Sequence, residues 1–218
     1  VSIRTVIFDI GGILEIIPDG GDPTIRFPYM LASWEARLGM KPGELDARLD
    51  TLDEQLHFRG EAGLLGTCTE EEWQAGLQQA TGMDDTQLAA FLNDFWDIYM
   101  GSPNDELMAY FHGLRPRYQT ALLSNSFVGA RQREQERFHF AEMTDLIIYS
   151  HEEGIAKPDQ RIFQRACERL GTLPEEIVFL DDVEQNVAAA SACGFHTVLF
   201  RDTAQAIADI EACLQASR

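Results

Sequence analysis

The sequence predicts an α/β protein: a doubly wound, Rossmann-like parallel sheet core with an inserted all-helical cap. Three observations carry that expectation. Five short runs are continuously apolar rather than alternating, which is how strands covered on both faces of a sheet read. Helical periodicity separates the later runs, giving the strand–helix alternation of a parallel sheet. A long stretch after the first run shows helical patterns alone.

Taken in order, the first strand is Thr5–Phe8, and Asp9 stands at its end. The turn-rich IPDGGDPT follows, and then helical patterns at Phe27–Leu38, Pro42–Phe58, Thr69–Thr81 and Asp84–Tyr99. Thr69 precedes Glu70–Glu72, so it reads as an N-cap with acids in the first turn, where the helix dipole favours them. Asp84 fits the same role for the next helix. Trp34, Phe58, Trp73 and Trp96 sit at amphipathic positions and are expected in the core of this module rather than against substrate. No strand is expected within it. The division is therefore a core of residues 1–14 and 98–218 around a cap of residues 15–97. Further strands are expected at Thr120–Leu123, Leu146–Tyr149, Ile177–Leu180 and Thr197–Phe200. Between them, Asp159–Leu170 places Ile162, Phe163, Ala166 and Leu170 on one helical face and stops at Gly171. Glu184–Cys193 is alanine-rich and stops at Gly194 in the same way.

The chain has 218 residues, with 36 acids against 17 lysines and arginines and a formal charge of −19. Such a surface repels phosphate backbones, which argues against nucleic acid and anionic membranes as partners. It does not exclude an anionic substrate, because a metal ion and a few lysines can reverse the sign locally. Cys68, Cys167, Cys193 and Cys213 form no CxxC pair and no zinc spacing, which suits a reducing compartment. His57, His112, His139, His151 and His196 are scattered without ligand spacing. The opening VSIRTVIFDI lacks a signal-peptide pattern, and no apolar run approaches the roughly 18 residues of a bilayer span, so a cytoplasmic protein is expected. The sequence is silent on oligomeric state.

In open α/β sheets, reactive groups gather beyond the carboxyl ends of the strands. There this chain carries Asp9, then Ser124 and Asn125, then Lys157–Pro158, then Asp181–Asp182 with Asn186 beyond. Three carboxylates held together need a cation, and hard oxygen ligands describe a Mg²⁺ site. A carboxylate at such a site can attack phosphorus, while lysine, hydroxyl and backbone N–H groups hold the phosphoryl oxygens.

VIFDIGGIL, LLSNS, KPD and FLDDVEQN resemble motifs one to four of the haloacid dehalogenase-like superfamily, in order and at suitable spacing, and the helical insertion resembles its C1-type cap. The DIGG form is similar to bacterial sugar-phosphate phosphatases and to the phosphatase domain of soluble epoxide hydrolase. The resemblance implies a Mg²⁺-dependent phosphatase acting on a small phosphorylated metabolite through an aspartyl phosphate. It implies Asp9 as nucleophile and metal ligand, the Gly11 carbonyl and Asp182 as further metal ligands, and Ser124 with Asn125 as holders of the phosphoryl group. Lys157 would bridge nucleophile and phosphoryl group, Asp181 would be held through water or to Lys157, and Asn186 would orient the loop. One position departs from the pattern. The family's acid–base aspartate, two residues after the nucleophile, is Gly11 here, and that proton transfer is worth roughly 10²–10⁴ in rate. Two other readings therefore stand beside the phosphatase: a metal-free 2-haloacid dehalogenase, and a catalytically impaired binding protein of the same fold.

Overall fold

The computed structural model describes residues 1–16, 23–56 and 64–216. The IPDGGDPT opening from Ile17 to Asp22, together with His57 and Phe58, lies outside the described residues. Among the described residues there are seven strands: β1 (Thr5–Phe8), β2 (Glu15–Ile16), β3 (Ser102–Pro103), β4 (Gln119–Ser124), β5 (Leu146–Tyr149), β6 (Ile177–Asp181) and β7 (His196–Leu199). Five of them form a sheet in the order β5-β4-β1-β6-β7, and every neighbouring pair is parallel. β1 lies at its centre, with Thr5 opposite Gln119 on one side and Ile177 on the other. The chain leaves β1 toward β4 and β5, then returns to add β6 and β7 on the opposite flank. β1 thus marks the point where winding reverses, the place in such sheets where reactive groups gather at the carboxyl ends of the strands.

The absence of alternation in the strands has a direct cause. Val6, Phe8, Leu122, Ile147, Tyr149, Val178 and Leu180 pack into one apolar cluster. Their neighbours Ile7, Ala121, Leu123, Ile148, Ile177 and Phe179 pack into another on the opposite face. Both faces are dry, so both pleat positions are apolar. The helix Gln160–Leu170 supplies Ile162, Phe163, Ala166 and Leu170 to the second cluster, and Gly171 ends it at φ 63°. The helix Glu184–Ala192 is followed by Gly194 at φ 95°.

The inserted helices span Pro23–Leu38, Glu44–Leu56, Glu70–Thr81 and Asp85–Met100. Thr69 and Asp84 each close a capping box, with Glu72 and Gln87 as reciprocal partners. Trp34, Trp73 and Trp96 are buried, and their rings pack edge-on against Phe91, Trp96 and Phe95 respectively. The expectation of no strand here is corrected at one place. β2 pairs antiparallel with β3, Glu15 opposite Pro103 and Ile16 opposite Ser102. This ribbon joins the outgoing and returning stems of the insertion. Two residues per strand carry no readable periodicity, so pairing of distant segments creates it rather than local propensity. Among the described residues, no helix is long and apolar enough to cross a membrane.

Candidate active site

β1 delivers Asp9 to the carboxyl edge of the sheet, and its backbone N–H continues the sheet by donating to the Leu180 carbonyl at 2.9 Å. The chain then turns sharply, as the N–H groups of Ile13, Leu14 and Glu15 all point to the Ile10 carbonyl at 2.9–3.2 Å. Gly12 makes that turn at φ +74°, a conformation that glycine adopts at no steric cost. A Cβ on Gly12 would stand 2.3 Å from Asp182 Oδ2, so the turn lies directly against that carboxylate. Gly11 is exposed, and a Cβ added to it would meet nothing within 4 Å.

Lys157, which a local reading would leave solvated before a proline, is only 4% exposed. Its Nζ donates to Asp9 Oδ1 at 2.8 Å, to Asp181 Oδ2 at 2.7 Å and to the Leu123 carbonyl at 2.8 Å. All three ammonium donors are used. Burial opposes the lysine's charge, but the carboxylates of Asp9 and Asp181 outweigh it and raise its pKa. Asp181 is wholly buried and also accepts from Val183 N at 2.8 Å and from Asn186 Nδ2, which reaches both of its oxygens at 3.1 Å. Asn125 locks the lysine's backbone: its Oδ1 accepts from Lys157 N and its Nδ2 donates to Lys157 O, each at 2.8 Å. Ser124 ends β4, buried and opposite Tyr149.

Carboxylate oxygens of Asp9, Asp181 and Asp182 lie within 4.8 Å of one another. Desolvation pushes Asp9 up to about 7, with Lys157 pulling it down and Asp181 adding to the rise. Asp182 is raised too, by burial first and then by Asp181. Asp9, Lys157, Asp181 and Asp182 therefore converge. Asn125 and Asn186 support them, Ser124 stands at the adjacent strand end, and Gly11 forms part of the turn without a side chain.

A second group of buried polar residues adjoins this set, and nothing in the sequence singles it out. Glu15 is buried, and its Oε1 has no hydrogen-bond partner among the described residues. Burial, then Glu134 and Asp9, raise its pKa well above the carboxylate range. Glu134, also buried, accepts from the Tyr149 hydroxyl and is lifted by burial to about 7. Glu134 falls in a strongly polar helix pattern, Ala130–Phe138, where a glutamate reads as solvated.

A family model described as haloacid dehalogenase-like hydrolase matches residues 3–194. The chain is 38% identical over 99 residues to acyl-CoA dehydrogenase family member 10 of Mus musculus, a match covering 44% of this chain and 9% of that protein. It is 35% identical over 81 residues to (S)-2-haloacid dehalogenase 1 of Pseudomonas sp., covering 37% of this chain and 36% of the relative. The matched segment thus spans a small part of the first relative and about a third of the second. Among solved structures, a HAD family enzyme of Bacteroides thetaiotaomicron, in complex with magnesium and inorganic phosphate, shares the fold with a TM-score of 0.68. That likeness covers 92% of this chain and 95% of the other at 21% identity.

Proposed function

The chain belongs to the haloacid dehalogenase-like hydrolases, and from that premise we propose that it is a Mg²⁺-dependent phosphatase of small phosphomonoesters, with Asp9 as the residue phosphorylated in turnover. The observation that carries this reading is Lys157 shared between Asp9 and Asp181, with the Asp182 carboxylate in the same cluster. One ammonium does not balance three carboxylates, and the deficit is what a hard divalent cation makes good. The donor set fits: every side-chain ligand is a carboxylate oxygen, and Gly12 leaves open the space beside Asp182 that a Cβ would fill. Asp181 already accepts from Lys157, Asn186 and Val183, so Asp9 and Asp182 are the residues left to hold the ion. A bound Mg²⁺ supplies positive charge against the phosphoryl oxygens and lets the Asp9 carboxylate stay ionised. The fold neighbour that carries magnesium and phosphate is consistent with this.

In the proposed reaction, an Asp9 oxygen forms a bond to phosphorus as the bond to the leaving-group oxygen breaks. Lys157 stays against Asp9 and offsets the charge developing on the phosphoryl group. Ser124 and the backbone of Asn125 hold the remaining oxygens. Water then attacks phosphorus, releasing phosphate and regenerating the Asp9 carboxylate. No side chain at Gly11 protonates the departing oxygen, so substrates with good leaving groups, such as aryl or anomeric phosphates, are favoured.

One alternative has its own observations. The haloacid dehalogenase relative and the missing acid at Gly11 both suit attack of Asp9 on carbon, with halide leaving and no metal required. The two readings separate in one assay pair. Phosphate release from an aryl phosphate is expected with Mg²⁺, is expected to stop in EDTA, and is expected to fall by more than about 10³-fold in Asp9→Asn. Chloride release from 2-chloropropionate in EDTA, without phosphate release, reverses the assignment.

A further inference from the structure

The helix Asp85–Met100 belongs to the insertion, yet its last turn is fastened to the core immediately after the Ser124–Asn125 dipeptide. The Tyr99 hydroxyl pairs with Ser126 Oγ at 2.8 Å, and the Tyr99 ring packs 5.5 Å from that of Phe127. Arg137 of the core helix Ala130–Phe138 binds Asp97 at 2.8 Å and donates to the Gly101 carbonyl at 3.0 Å. Arg133 of that helix lies 4.5 Å over the Trp96 ring and pairs with Glu70. Ser126 has no solvent exposure and no spare polar atom. Its N–H donates to Ser150 Oγ at 2.9 Å, its carbonyl accepts from Ser150 and lies 2.9 Å from His151 Nδ1, and its hydroxyl is taken by Tyr99.

Ser124 and Asn125 are thus gripped from two sides. Lys157 holds Asn125 on one side, and on the other Ser126 is held partly by the core and partly by Tyr99 of the insertion. We propose that Tyr99 is a positioning residue: its bond to Ser126 couples the seating of the helical insertion to the loop that holds the phosphoryl group. With the helix seated, residues 124–126 are fixed for the substrate. With it displaced, the Ser126 hydroxyl loses its partner and the loop relaxes. A buried hydroxyl left unpaired is costly enough to make that coupling stiff. The inference rests on the phosphatase reading, because Ser124 and Asn125 matter to it as holders of phosphoryl oxygens.

The test uses the full chain with Mg²⁺ and four proteins besides wild type: Tyr99→Phe, Ser126→Ala, the double variant, and Tyr110→Phe. The last removes a different tyrosine hydroxyl, one that joins the helices Asp105–Gly113 and Thr203–Ala216 through Glu211 and makes no bond to residues 124–126. Amide hydrogen exchange across residues 124–129 is expected to quicken about tenfold in Tyr99→Phe and Ser126→Ala and to stay unchanged in Tyr110→Phe. Inhibition by inorganic phosphate is expected to weaken by a similar factor, with kcat falling more than KM rises. The double variant is expected to be no worse than the more impaired single variant, because one bond is lost in all three. Unchanged exchange at 124–129, or losses that add in the double variant, overturns the coupling. If the wild-type protein releases no phosphate, the functional reading falls, and the exchange measurement still decides whether Tyr99 governs the loop.

Discussion

Gly11 and Gly12 are neighbours with opposite constraints. Gly12 is held by geometry: its φ of +74° and the Asp182 oxygen 2.3 Å from any Cβ both demand glycine. Gly11 is under no such demand, since a Cβ there meets nothing within 4 Å and its φ is not in the left-handed region. The missing acid is therefore not excluded by space, and the site as built can take it back. Gly11→Asp should fold normally and raise kcat/KM on an alkyl phosphate by roughly 10²-fold, the low end of the usual worth of general acid catalysis. The rate on an aryl phosphate should move little, because its leaving group needs no proton. Measuring both substrates on both proteins checks this. An unchanged aryl-to-alkyl ratio would mean that the proton already arrives from another group.

At the scale of elements, the clearest sequence signals were those that act locally. Thr69 and Asp84 were legible as caps because a short side-chain oxygen ahead of a helical pattern can satisfy the first turn without help from elsewhere, and the structure adds Glu72 and Gln87 as reciprocal partners. Thr69→Ala should lower unfolding free energy by about 1 kcal/mol in a denaturant melt while leaving phosphate release intact. A loss of only a few tenths would mean that burial of Trp73 and Leu77 alone holds that helix. The strands were legible for the same reason, with shifts at their ends. β6 extends to include Asp181, and β7 runs one residue earlier than Thr197–Phe200. The convergence of Asp9, Lys157, Asp181 and Asp182 was legible because polar residues that follow the strands of one parallel sheet share its carboxyl edge. What stayed hidden depends on contacts between distant segments: the β2–β3 ribbon, the grip of Arg133 and Arg137 on the insertion, and the burial of Glu15 and Glu134. A glutamate carries the same letter whether it is solvated or enclosed, and only the fold decides which.

For the whole molecule, the charge of −19 and the enclosed acids make stability depend on pH in a definite direction. Glu134 is 1% exposed, and its pKa rises from 4.5 to about 7, first through burial, with Asp9 adding to the rise while the Tyr149 hydroxyl and Arg131 oppose it. Glu15 faces it as a second acid, and Tyr99 lies within reach of both charges. A carboxyl whose pKa is higher in the folded chain than in the unfolded one binds its proton more tightly when folded. Its stabilising effect is complete below about pH 4.5 and is lost as pH climbs through about 7. Glu134→Gln keeps an acceptor for Tyr149 but cannot ionise. Relative to wild type, the variant should therefore gain on the order of 2 kcal/mol between pH 5 and pH 8, read from thermal melts across that range. Surface repulsion among the excess acids also grows over the same interval, but salt separates the two effects. Exposed charges are screened beyond about 8 Å at physiological ionic strength, whereas a buried group is screened far less. The difference between Glu134→Gln and wild type should persist in high salt; a difference that vanishes there, or one that does not change with pH, would place the ionisation at the surface instead.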